Sequence, residues 1–291
     1  MIAEPVSLPV KTPNYRLRRR LTHLALYLVA LLVMAVIAIP LLFAVLGGFR
    51  SMGQLSADPV SLPDPWIFSN YTEILRSDSF WRQMFNSLQI AVLTVGMVLP
   101  VASLAAFVLA RFEFKGREGI YTLFTLGLLF PVAVAILPLF IALRQLGLVP
   151  HPLGVILPQV AFALPLSIVI LRPFFRSVPD VLEDAAAIDG CGPLRFYWSV
   201  LLPLSRPVMS TIAVLSLVTS WNAFLLPLVV TMSESSSWTL PIGVTNFSTQ
   251  YATDTARVLA FTTLSMIPAL GCYLVAERQI VKGLASGAVK G

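Results

Sequence analysis

The chain alternates long apolar stretches with short polar segments. A helix that crosses a bilayer needs about 20 mostly apolar residues, and six stretches meet this requirement: Leu24–Gly48, Ser87–Ala110, Ile120–Leu143, Pro152–Leu171, Pro207–Val230 and Val258–Ala276. The pattern predicts an all-α, polytopic membrane protein with six transmembrane helices. They form one domain over residues 24–276, between an N-terminal arm (1–23) and a C-terminal tail (277–291).

Composition supports a membrane protein. Of the 291 residues, 57% are hydrophobic and 12% charged, and the mean hydropathy is +0.85, which is far from the balance of a soluble domain. Prolines seven residues apart, Pro131 with Pro138 and Pro158 with Pro165, predict kinks in the third and fourth helices. Such kinks serve either a translocation path or close helix packing.

The distribution of basic residues predicts the orientation. All but five of the 20 Lys and Arg residues fall in the arm, the tail and two alternate loops; the exceptions are Arg50, Arg76, Arg82, Arg144 and Arg257. Basic residues collect on the cytoplasmic side, so both termini and the loop 177–206 are predicted to be cytoplasmic. The basic cluster Arg16–Arg20 is expected to bind an anionic membrane surface rather than nucleic acid.

The predicted spans lack groups that would power transport or catalysis. None of them holds an Asp, Glu, Lys or Arg in its interior, and there is no G-x-x-x-x-G-K-[ST] motif for binding nucleotide. Ion-coupled carriers usually need buried ionisable groups. No H-E-x-x-H motif or Cys/His metal cluster indicates an enzyme. A transporter of this kind must take its energy from a partner.

The loop 177–206 is a polar interruption between two apolar stretches. Ser177 and Asp180 are spaced as a capping box, which predicts the start of a short helix reaching about Ile188. Gly190 then suits a left-handed turn, and Pro193 can open a second helix. Apolar residues at helical spacing lie beside acidic ones on the first helix, which predicts a small knob that enters a groove on a partner protein.

The same loop resembles the EAA loop of ABC-transporter permeases. Asp184-Ala185-Ala186 is followed after three residues by Gly190, and later by Leu202-Pro203. In that family the loop forms coupling helices that dock into a cleft on the ATPase. The family usually has glutamate where Asp184 stands. The resemblance implies a coupling role for Glu183, Asp184, Ala185, Ala186, Asp189, Gly190 and Pro203.

Further segments resemble the carbohydrate-uptake permeases of the maltose-transporter type, as the MalG-like subunit. They are Asn86-Ser87, Leu109-Ala110-Arg111-Phe112, Phe114-Lys115-Gly116-Arg117, Leu146-Gly147-Leu148, Trp221-Asn222-Ala223-Phe224 and the tail Gly283–Gly291. The family usually has an acidic residue where Ala223 stands.

The resemblance implies a transport subunit of an ATP-driven sugar importer in a bacterial or archaeal cytoplasmic (inner) membrane. Its implied partners are a homologous second permease, an ABC ATPase homodimer that binds the ATP and magnesium, and an extracytoplasmic solute-binding protein. No cofactor is implied on this chain.

Polar side chains within the apolar spans are candidates for the substrate path. Gln159, Trp221 and Asn222 offer amides and an indole, which can form hydrogen bonds with a polyhydroxylated ligand and stack against it. The alternative is that Gln159 and Asn222 only bond neighbouring helices. The outer loop Met232–Ala256 carries no Lys or Arg, and its aromatic residues Trp238, Phe247 and Tyr251 are expected to contact the binding protein.

Two other functions stay open. The same architecture serves other solutes, such as polyol phosphates or polyamines, although a path without charged residues favours an uncharged substrate. The chain could also be a membrane scaffold or sensor that engages an ATPase without moving solute. The residues do not indicate which sugar is carried, or which of the two permeases makes most of the substrate contacts.

Overall fold

The computed structural model describes residues 15–248 and 253–288, and every regular element in them is helical. In chain order the helices are α1 (Tyr15–Gly47), α2 (Met52–Ala57), α3 (Ser69–Arg76), α4 (Asp78–Arg111), α5 (Arg117–Gly127), α6 (Val132–Gln145), α7 (Leu153–Ser177), α8 (Asp180–Ile188), α9 (Pro193–Phe196), α10 (Leu202–Leu204), α11 (Arg206–Trp221), α12 (Leu225–Thr231), α13 (Leu240–Gly243) and α14 (Thr255–Ala288). A π-helical turn, Tyr197–Leu201, joins α9 to α10, and 3-10 turns at Ser235–Ser237 and Val244–Phe247 flank α13.

Helices α4 and α7 form the centre of the bundle. Small residues on α4, Ala102 and Ala106, are fully buried beside Val98, and they belong to the same core as Ile168 and Leu171 of α7. Small side chains let two membrane helices approach closely, so dispersion contacts can hold them together. Helix α11 packs on α4, and α14 packs on both α11 and α1.

Helix α1 stands at the edge of the bundle and contacts mainly α14. Its segment Arg19–Gly47 contains an 18-residue stretch with a mean hydropathy of 3.1, yet side chains such as Tyr27 and Met34 are 74% and 68% exposed. A long apolar helix with its side chains directed outward is suited to a lipid environment rather than to water.

Three helices of the described chain, α1, α4 and α7, are long and apolar enough to cross a membrane. The count rises to five if each of two bent helix pairs is one span, and Thr255–Gly271 of α14 is a shorter apolar segment. The described helices are therefore compatible with several crossings, and the six predicted spans stay a prediction.

Two predicted spans are not single helices. The stretch Ile120–Leu143 is divided into α5 and α6, whose axes are bent by 100°, and Pro131 precedes α6 in an extended conformation. Because proline lacks an N–H and disfavours a helical residue before it, the chain cannot continue α5 through this point. The stretch Pro207–Val230 is likewise divided, into α11 and α12. By contrast, α7 runs unbroken through Pro158 and Pro165.

Candidate coupling site and translocation cavity

The loop after α7 forms a helix, a sharp turn and a second short helix, as predicted. Gly190 has a φ of 74°. Its N–H donates to the Ala187 carbonyl at 3.0 Å, and the Cys191 N–H donates to the Ala186 carbonyl at 2.8 Å. This pair of bonds is a Schellman motif, which pairs the free carbonyls at the end of α8. Pro193 then occupies the first turn of α9.

The predicted capping box is wrong. Ser177 belongs to the last turn of α7, where its Oγ donates to the Phe174 carbonyl at 2.8 Å. Pro179 is the residue before α8 and makes no side-chain cap. The capping prediction failed because α7 extends farther than the apolar pattern indicated. Its final serine therefore bonds a carbonyl of α7 and does not cap α8.

Arg111, the last residue of α4, holds the start of α8 instead. Its guanidinium donates to Asp180 Oδ1 at 2.5 Å and to the Val178 carbonyl at 2.6 Å, and it lies 3.5 Å from Glu183 Oε2. The Arg111 side chain is only 5% exposed. From the sequence, Arg111 was predicted only to be a cytoplasmic basic residue and part of a family resemblance. The sequence did contain a signal for this pairing: a basic residue ends one helix, and acidic residues stand in the first turn of another.

Helices α8 and α9, in the loop that carries the residues assigned to ATPase coupling, also carry four exposed apolar side chains. We call this set the knob; it consists of Val181, Leu182, Ile188 and Leu194, which are 72%, 41%, 87% and 63% exposed. Among the coupling candidates, Glu183 and Ala186 are half-buried, while Asp184, Ala185, Asp189, Gly190 and Pro203 are exposed. An exposed apolar cluster rimmed by acidic groups is a typical protein contact surface.

A second arginine joins the same region of α7 to α4 and α5. Arg172 is 4% exposed, donates from Nε to the Leu109 carbonyl at 3.0 Å, pairs with the Glu118 carboxylate, and lies 4.0 Å above the Tyr121 ring. The hydrogen bond from Arg172 lowers the pKa of Glu118 below its usual value.

Gln159 lines a cavity of about 490 Å³ between α4, α6, α7, α11 and α12. Its Oε1 accepts hydrogen bonds from Thr94 Oγ1 at 3.2 Å and from Ser220 Oγ at 2.5 Å. Its Nε2 is buried and has no hydrogen-bond partner in the described chain. Ala223 also lines this cavity, and no ionisable side chain of the described residues does.

Trp221 and Asn222 lie on a different cavity, of about 410 Å³, on another face of α11. The Trp221 side chain is 5% exposed and its Nε1 donates to the Ser265 carbonyl at 3.3 Å. Asn222 donates to the Val218 carbonyl at 2.9 Å. The structure therefore separates these two substrate-path candidates from Gln159.

Trp238 and Phe247 line a third cavity, of about 330 Å³. Trp238 Nε1 donates to the Thr231 carbonyl at 3.1 Å, and Asn86 Nδ2 donates to the Trp238 carbonyl at 2.9 Å. Both aromatic side chains are half-buried walls of this cavity rather than projecting groups. Tyr251 lies outside the described residues.

Comparison with known proteins assigns the family. The profile of the family described as "Binding-protein-dependent transport system inner membrane component" matches residues 98–280. The chain belongs to this family of ABC-transporter permeases. As a permease it is a transport subunit and not an enzyme.

Named relatives and a solved structure resemble the permease over most of its length. It is 36% identical to the diacetylchitobiose uptake system permease protein NgcG of Streptomyces coelicolor, over 87% of this chain and 84% of that protein. It is 37% identical to the trehalose transport system permease protein SugB of Mycobacterium tuberculosis, over 79% and 84%. A chain of a bacterial ABC transporter involved in the import of the acidic polysaccharide alginate shares the fold, with a TM-score of 0.75 and 21% identity over 93% of this chain and 99% of that chain.

Proposed function

We propose that the permease forms half of the translocation pathway of an ATP-driven importer for a sugar or oligosaccharide. In this proposal it crosses the cytoplasmic membrane of a bacterium or archaeon six times, with both termini inside. A homologous second permease supplies the other half of the pathway. An ATPase homodimer that binds ATP and magnesium drives it, and an extracytoplasmic binding protein delivers the solute.

The observation that carries the coupling part of the proposal is the knob. The Schellman turn and the Arg111 contacts hold α8, while Val181, Leu182 and Ile188 are exposed on it. Apolar side chains on an element held by such contacts are suited to a concave partner surface, because less conformational entropy is lost when they dock. Coupling therefore works by contact of the knob with the ATPase.

The substrate part of the proposal is supported by the Gln159 cavity and by the names of the relatives. The cavity walls combine apolar surface with hydroxyls and one amide, and none of its described residues is charged. A charged solute placed there would lose its hydration without gaining a counter-charge, whereas an uncharged polyol could exchange hydrogen bonds with the walls. Diacetylchitobiose and trehalose, which appear in the names of NgcG and SugB, are uncharged saccharides.

A matched pair of substitutions tests the coupling. Ile188 and Val60 are both 87% exposed, so neither replacement by aspartate should disturb folding. We expect Ile188→Asp to prevent co-purification of the ATPase in mild detergent and Val60→Asp, in an outer segment, to leave it intact. Recovery of the ATPase with Ile188→Asp at the wild-type level would contradict the docking role of the knob.

Uptake into proteoliposomes tests which class of solute is transported. The complete complex with its binding protein should accumulate a labelled neutral disaccharide or oligosaccharide in the presence of ATP. Accumulation of a polyol phosphate or polyamine instead would contradict the sugar assignment. An assembled complex that moves no solute would favour the scaffold alternative.

A second pair of substitutions tests the Gln159 cavity. Gln159→Leu should raise KM for uptake, whereas Gln89→Leu, at an exposed glutamine on α4, should not.

A further inference from the structure

The C-terminal ends of α4 and α7 bind each other's backbone through arginines. Arg111 ends α4 and donates to the Val178 carbonyl just after α7. Arg172, five residues before the end of α7 at Ser177, donates to the Leu109 carbonyl in the last turn of α4. The last carbonyls of a helix lack partners within the helix, and an arginine at that end also interacts favourably with the helix dipole. The two helix ends are thereby joined reciprocally.

Each arginine also reaches one further helix. Arg111 contacts the carboxylates of Asp180 and Glu183 in the first turn of α8. Arg172 contacts the carboxylate of Glu118 and the ring of Tyr121 in α5. Both guanidinium groups are almost fully buried, with side chains 5% exposed, so their orientation is set by these partners.

These contacts form a continuous series from the coupling helix to the bent pair α5 and α6. The series runs from α8 through Arg111 to α4, from the Leu109 carbonyl to Arg172, and from Arg172 to α5. At the bend of the pair, Val132 and Ala133, the first residues of α6, line the Gln159 cavity. A displacement of α8 therefore has a route to the cavity wall that does not require the covalent link between α7 and α8.

We propose that Arg111 and Arg172 are positioning residues that transmit movement of α8 to α5 and α6, and thereby to the cavity. We call this set of contacts the arginine relay. The planar guanidinium makes two or three directed bonds at once, and a lysine ammonium on a flexible stem does not reproduce this geometry. The relay rests on the proposed function, because the movement of α8 is driven there by the ATPase.

The first experiment compares two substitutions on one helix. Arg172→Lys replaces the planar guanidinium of the relay with an ammonium that keeps the charge. Arg176→Lys, four residues along α7 at an exposed site, is the matched control. In proteoliposomes we expect Arg172→Lys to lower the number of sugar molecules transported per ATP hydrolysed by about 5- to 150-fold, the range of typical coupling between sites. The control should keep the wild-type ratio. A purely structural loss would lower uptake and ATP hydrolysis together, and that result would overturn the relay.

The second experiment does not depend on the identity of the solute. Spin labels at exposed Leu123 on α5 and at exposed Ala187 on α8, which is not a residue of the knob, report the distance between these helices in the assembled complex. We expect a shift between the nucleotide-free and ATP-bound states that is lost in Arg111→Lys and in Arg172→Lys. If both variants keep the wild-type shift, the relay is wrong. If wild-type complex imports no sugar but shows the shift and the variants lose it, the sugar assignment fails and the relay stands.

Discussion

The turn at Gly190 offers the sharpest test of the coupling loop, because the effect of its backbone conformation can be separated from the effect of steric contacts with neighbouring atoms. Gly190 has a φ of 74°, in the left-handed region that disfavours a Cβ. No atom would lie within 4 Å of an added Cβ. Any effect of a substitution at this position therefore comes from the backbone and not from a steric clash with a neighbour.

The expected loss of uptake follows from the backbone strain alone. An L-residue in the left-handed region costs roughly 1–2 kcal/mol, which changes the ratio of native to non-native turn by a factor of about 5–30. Gly190→Ala should therefore lower the uptake rate per assembled complex by up to this factor. Gly190→Val should lower it further, because β-branched residues tolerate this region least. Gly190→Asn should stay near wild type, since asparagine visits the left-handed region routinely.

The control lies two residues away. Gly192 also has open space around it, but its φ is −69°, which any residue can adopt. Gly192→Ser should therefore preserve uptake, and its hydroxyl can cap α9. The assay is initial uptake of labelled sugar, divided by the amount of complex. Wild-type uptake by Gly190→Val, or an equal loss in Gly190→Asn and Gly190→Val, would refute the reasoning.

Three further predictions concern stability. Gly154→Ala would place a Cβ 2.2 Å from the Leu148 carbonyl oxygen, so we expect a loss of about 1–3 kcal/mol, measured as a lower Tm of the purified permease. Gly119→Ala, within α5 and with no atom near the new Cβ, should raise helix stability by about 1 kcal/mol; an equal drop in Tm for both variants would contradict the packing argument. The pKa of Glu118 is lowered in the folded protein by Arg172, so its stabilisation is present above the unfolded pKa and is lost as the pH falls through the folded value. The Tm difference between wild type and Glu118→Gln should therefore shrink on acidification, and a difference that grows would contradict the pairing.

The sequence by itself determined the features that depend on neighbours a few residues apart. Apolar runs of sufficient length identify membrane-scale helices such as α4 and α7, because lipid requires apolar side chains along the whole span. The Gly190 turn and the start of α9 at Pro193 were also predictable, since the left-handed turn and the first helical turn each favour one residue type. The family resemblance of the loop 177–206 rested on such local spacing.

The tertiary structure decided which distant groups meet. Arg111 and Asp180 are 69 residues apart, and Arg172 and Glu118 are 54 apart, so their pairing depends on how the ends of α4, α5 and α7 are placed. Periodicity identifies the apolar face of a helix but not the crossing angle or the rotation at which it packs. The same limit explains why Gln159 lies on one cavity and Trp221 on another. It also explains why the break before α6 was missed: proline occurs both in continuous membrane helices, such as α7, and at their ends, and only packing distinguishes the two cases.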